Sequence, residues 1–150
     1  GFEALPSRLT TVGTIDAVEF VDDSLSTNVL PTCAAVRSFP GRTLALIVGG
    51  FDRGIDYAPL AEALADRTAP TLVIGVPDNG ARIVEELRAA GIDASTTAVA
   101  DSIESAVRTG FDWLRRDGGV VLLSPAAASY GRYGNYQERA DAFVAAMRSL

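Results

Sequence analysis

Apolar residues along the chain follow two alternating rhythms. Thr43–Val48, Thr71–Gly75 and Val120–Leu123 are short, nearly unbroken apolar runs, the pattern of strands covered on both faces of a sheet. Between and after them apolar residues recur at intervals of three and four, the spacing of amphipathic helices. The clearest case is Ile103, Ala106, Val107, Gly110, Phe111 and Leu114, in a helix opened by Asp101 with Glu104. Asp78 or Asn79 opens a second, with Ile83, Val84, Leu87 and Ala90 on its sheet face and Gly91 ending it. A short helix over Asp56–Leu64 carries Leu60, Ala63 and Leu64. Another follows Asn28, tolerates Pro31 in its first turn, offers Leu30, Ala34, Ala35 and Phe39 for packing, and stops at Pro40-Gly41.

The two ends complete the pattern. Leu9–Val12 and Ile15–Val21 read as two short strands around Gly13, and Thr96–Val99 as a shorter one. After Val120–Leu123, Ser124-Pro125 stops the run. Asn135 with Glu138 three residues on resembles a capping box, and Ala140, Phe143, Val144 and Met147 continue at helical spacing. Strands that alternate with helices demand a parallel sheet with right-handed crossovers. The expectation is a Rossmann-like open α/β sheet of about six mostly parallel strands, helices on both faces, with the first or second strand antiparallel at an edge. No repeat or linker divides residues 1–150, so they read as a single domain.

Composition narrows the chemistry mainly by what it lacks. At 150 residues and 48% apolar the chain can bury a core. All 13 basic residues are arginine and there is no histidine, which excludes from this chain a histidine base, a histidine metal site and a lysine Schiff base. One cysteine, Cys33, rules out an internal disulfide and is compatible with the cytoplasm. A net charge of -6 argues against a nucleic-acid surface, and no apolar run reaches the roughly 18 residues of a membrane span. The opening Gly-Phe-Glu has no Met, as in a domain excised from a longer chain.

Three polar loops each follow an expected strand: Asp22–Asn28, Gly49–Asp56 and Ser124–Asn135. In a parallel sheet all three emerge at the carboxyl edge, where such sheets bind ligands. In the first, Ser26, Thr27 or Asn28 caps the next helix, or a carboxylate takes ribose hydroxyls while Thr27 faces an anion. In the second, Arg53 is either a solvated arginine or a two-pronged grip for a carboxylate. The spacing is not that of a P-loop. In the third, at least one of Tyr130, Tyr133 and Tyr136 reads as packing at the start of the last helix, and Ser129 as a donor to a second carboxylate. Asn79-Gly80 reads as a turn or a helix start and Arg115-Arg116-Asp117 as a solvated helix end.

FVDDSLSTN (residues 20–28), GGFDRGIDY (49–57) and SPAAASYGRYGNYQERADAF (124–143), in this order, resemble the C-terminal domain of the Mur ligases, specifically of the members that add glutamate to UDP-N-acetylmuramoyl-L-alanine. The resemblance runs from about Leu5 to the end of the chain. It implies a three-domain enzyme in the cytoplasm: an N-terminal domain for the UDP sugar, a central P-loop domain for ATP and Mg2+, and this domain closing over them with the amino acid. The implied reaction forms an acyl phosphate that the glutamate amine attacks, with D-glutamate the default substrate. Alone, this domain is not expected to turn over. By the same resemblance Thr27 and Arg53 hold the α-carboxylate of glutamate, and Ser129 and the Tyr136 amide hold its γ-carboxylate. Arg8 and Asp23 reach the nucleotide. No catalytic or metal-binding residue is implied here.

Two departures stand out. Leu25 occupies the place of a usual lysine, and Tyr130-Gly131 replaces the more usual Leu/Phe-Asp. They leave open a variant that adds L-glutamate, or a non-catalytic binding module with the same fold. A folylpolyglutamate synthase-like ligase fits the last loop less well.

Overall fold

The computed structural model describes residues 7–150; Leu5, where the resemblance begins, lies outside them. Among the described residues the strands are β1 (Thr10–Ile15), β2 (Val18–Asp22), β3 (Leu44–Val48), β4 (Thr71–Gly75), β5 (Thr97–Val99) and β6 (Gly119–Leu123). The helices are α1 (Val29–Arg37), α2 (Ala58–Ala65), α3 (Gly80–Ala89), α4 (Ile103–Leu114) and α5 (Tyr136–Arg148). They build one six-stranded sheet in the order β1-β2-β6-β3-β4-β5, parallel except for β1 at its edge. The expected class and the antiparallel edge are both met.

Period-two alternation sends the inner strands' side chains to two separate cores. Leu44, Leu46 and Val48 of β3 pack with Cys33 and Val36 of α1, Leu60 of α2, and Ile83 and Leu87 of α3. Ala45 and Ile47 face the other way, toward Val107, Phe111 and Leu114 of α4 and Phe143 and Met147 of α5. Phe20 lies between the rings of Phe111 and Phe143, at centroid distances of 6.1 and 6.3 Å. Neighbouring β6 and β3 therefore send their following helices to opposite faces. Their carboxyl ends open a crevice of the kind in which open α/β sheets bind ligands.

Four local expectations need correction. Gly13 is not the first turn but lies within β1, at an irregularity in register between Thr11 and Gly13. A Cβ there would come 2.7 Å from the Met147 sulfur, the end of a flexible side chain on the last helix. The turn falls at Asp16-Ala17 instead. In α1, Asn28 does cap Val29 and Ala35 is buried as expected, but Leu30 and Ala34 point outward and the buried face is Val29, Thr32, Cys33, Ala35 and Val36. A polar residue in that stripe hid it; the Thr32 hydroxyl donates to Ser124 O at 3.3 Å and lies 2.9 Å from Ser124 Oγ. Ser102, not Asp101, caps α4, its hydroxyl taking the Ser105 amide at 3.0 Å. Asn79 stands before α3 without capping it, because its side chain is engaged elsewhere.

Candidate functional site

The three loops meet at the crevice between β6 and β3. Their backbones are joined directly: Phe51 pairs with Ala128, Gly49 N–H donates to Pro125 O at 2.8 Å, and Ala126 N–H donates to Ser26 O at 3.1 Å. Asn79 reinforces the join, accepting the Gly50 amide at 2.9 Å and donating to the Tyr57 hydroxyl at 3.1 Å. Tyr57, fully buried, donates in turn to Ala126 O at 2.9 Å. Loops tied this closely are a preformed site rather than three separate turns.

Thr27 and Arg53 are brought into contact. Arg53 is exposed, and its Nη2 donates to the Thr27 carbonyl at 3.1 Å. The acid beside it does not neutralise it, because Asp52 is gripped by both prongs of Arg82 at 2.9 and 2.8 Å. Arg82 also pairs with Glu86 at 2.6 Å and lies 5.3 Å above the Tyr57 ring. Arg53 is thus a cation at the crevice with only a neutral carbonyl as partner among the described residues. Such a group is suited to a carboxylate.

Ser129, almost buried, lines a recess with Gly50, Asp78, Arg132, Tyr133 and Arg139. Tyr130 is exposed and packs edge-on against Phe51. Tyr136 is the first residue of α5, so its amide belongs to the unpaired first turn of a helix. Asn135 caps that helix through the Glu138 amide at 2.9 Å. Glu138 reaches back to Gly134 N at 2.7 Å, one residue before the ideal box partner.

Arg8 and Asp23 are neighbours elsewhere. Both line a groove with Leu25, Ser26, Pro31 and Ala34. Asp23 is 2% exposed, and its carboxylate accepts Leu9 N–H at 3.1 Å, Ser26 Oγ at 2.6 Å and Ser124 Oγ at 2.7 Å. Burial pushes its carboxyl up, against those hydrogen bonds, which pull it down. A carboxylate has about four acceptor positions. Among the described residues three of Asp23's positions are filled, and Arg8 is exposed at the rim.

Arg139 was not among the expected site residues. It is 1% exposed and binds two of the three loops, donating to Ala127 O at 3.0 Å and Ser24 O at 3.1 Å. It also touches the third: a Cβ on Gly50 would lie 2.9 Å from its Nη1 and run into the Ala128 carbonyl. Burial lowers the guanidinium to about 10, still charged at neutral pH. Its position one turn before Phe143, on the apolar stripe of α5, was the signal available in the sequence.

An open α/β sheet has its polar loops sewn together at a switch point, and among them stands an arginine with no acidic partner among the described residues. The chain belongs to the Mur ligase family: residues 7–127 match the family model for the Mur ligase, glutamate ligase domain. It is 45% identical over 148 residues to the UDP-N-acetylmuramoyl-L-alanine--L-glutamate ligase of a Micromonospora strain, covering 99% of this chain and 32% of that protein. It is 39% identical over 149 residues to the UDP-N-acetylmuramoylalanine--D-glutamate ligase of Trichlorobacter lovleyi, covering 99% and 31%. The chain thus spans about a third of the length of these relatives. The MurF ligase of Thermotoga maritima, solved with ADP, shares the fold at a TM-score of 0.56 and 15% identity, over 99% of this chain and 33% of that one.

Proposed function

We propose that this chain is the amino-acid-carrying domain of an ATP-dependent ligase that joins glutamate to UDP-N-acetylmuramoyl-L-alanine in peptidoglycan synthesis in the cytoplasm. The observation that carries the reading is the uncompensated Arg53 against Thr27, separated by one backbone bridge from the loop of Ser129. A dicarboxylic amino acid needs two such places, held apart. In this reading Arg53 and Thr27 take the α-carboxylate, and Ser129 with the Tyr136 amide takes the side-chain carboxylate. The amine is left directed at the acyl carbon. Charge-assisted bonds of this kind contribute roughly 1.5–3 kcal/mol each.

ATP and Mg2+ belong chiefly to a central domain outside this chain, where the metal neutralises phosphate charge. Toward the nucleotide this chain offers Arg8 and Asp23 at their shared groove. The alanyl carboxylate takes the terminal phosphoryl group of ATP. The glutamate amine attacks the resulting acyl phosphate, its proton is lost, and phosphate leaves as the amide forms. This domain supplies orientation: it fixes the amine's approach and, on closing, excludes water from the acyl phosphate.

The resemblance alone implies D-glutamate; we read the substrate as L-glutamate. The relative named for the L isomer stands at 45% identity and the one named for the D isomer at 39%. The substituted Leu25 and Tyr130-Gly131 lie in two of the site's loops. The test is phosphate release by the complete natural chain with ATP, Mg2+ and UDP-N-acetylmuramoyl-L-alanine, given either L- or D-glutamate. Release with L-glutamate alone is expected. Release with D-glutamate alone overturns the choice of isomer, and no release with either, from a folded chain, favours the binding module.

A further inference from the structure

We propose that the buried charge of Arg139, with Arg132 at the mouth of the same recess, selects amino acids bearing a second carboxylate, which becomes the counter-ion that the recess lacks. This rests on the ligase reading above and adds two residues to it. Arg139 is the largest fully buried side chain among the described residues, and no carboxylate forms an ion pair with it. Its two acceptors are neutral carbonyls, and its Nε–H has no partner. The Ser24 hydroxyl, on a loop that Arg139 holds, is likewise buried and unpartnered.

An ion kept from water at such cost is ordinarily paired, and a Met or Leu of similar size fills a core without that penalty. If Arg139 served only to hold loops together, the site would still pay for a charge it does not use. The carboxylate whose charge acts on it, Asp22, forms no ion pair with it and accepts the Ser24 amide instead. Arg132 lines the same recess, is exposed, and makes no ion pair or hydrogen bond among the described residues. Both arginines act on the half-buried Tyr133 phenol in the recess wall. Against these two cations the wall carries one acid, the exposed Asp78, and Glu104 acts on Tyr133 from outside the lining. The balance is positive where Ser129 stands, and a low-dielectric wall strengthens its pull on an anion. Arg53, which does not line this recess, is left for the other carboxylate.

The experiment uses the complete natural chain as wild type, Arg132→Gln, Arg139→Met and Arg139→Lys. It measures kcat/KM for glutamate and, for glutamine as alternative substrate or competitive inhibitor, the matching constant, with KM for ATP as control. Glutamine keeps the shape and loses the charge. Arg132→Gln and Arg139→Met are each expected to lower the preference for glutamate over glutamine about tenfold, with KM for ATP within about twofold. Arg139→Lys, which keeps the charge, is expected to retain most of that preference. An unchanged preference in both charge-removing variants overturns the proposal. So does an equal loss for both amino acids in Arg139→Met and Arg139→Lys, the signature of a scaffold alone. If Arg139→Met does not fold, the exposed Arg132→Gln decides. Wild type that fails with glutamate removes the ligase reading itself, whereas active wild type with unchanged preferences removes only this inference.

Discussion

Asp23 shows how much of a side chain's role depends on what surrounds it. In sequence it is one of two adjacent acids before a helix. In the structure it ties three segments, through Leu9, Ser26 and Ser124, and is nearly out of reach of solvent. Because burial raises its folded value above the ordinary 3.8, the native state holds the proton more tightly than the unfolded chain does. Stability from this group is therefore lost as pH rises from about 4 through the raised folded value, and is constant above it. Asp23→Asn removes that dependence. Chemical denaturation at a series of pH values is expected to show the wild type losing ground to Asp23→Asn across this window and the difference levelling beyond it. A difference that does not change with pH would mean that Asp23 titrates normally.

At the scale of elements, the long periodic stretches were legible because burial alone sets their pattern. Every apolar residue expected on the sheet face of α4 is buried there, and β4 has the expected ends. What misled was polar chemistry inside a stripe. Thr32 interrupted the apolar pattern of α1, Arg139 that of α5, and Asn79 looked like a cap; each is buried because its partner lies on another element. Partners 92 and 115 residues away leave no local trace. The α5 cap, by contrast, is local and was readable. Asn135→Ala removes the acceptor of the Glu138 amide and should cost about 1 kcal/mol. Denaturant midpoints of the two chains measure this directly, with an unchanged slope if only the cap is lost.

On the scale of the whole molecule, the strand order puts the loops after β3 and β6 at one crevice, and the loop after β2 beside them. That convergence followed from the alternation of strands and helices. The pairing of Thr27 with Arg53, and the sequestration of Asp52 by Arg82, did not, since neither depends on hydrophobic pattern. In the proposed ligase, Arg53 is the carboxylate-holding cation of the amino-acid site. Its test is the KM for glutamate of Arg53→Ala in the complete natural chain, with KM for ATP measured alongside. A loss of one charge-assisted grip predicts a rise of about tenfold or more in the first and little change in the second. An unchanged KM for glutamate, in a folded variant, would contradict the account.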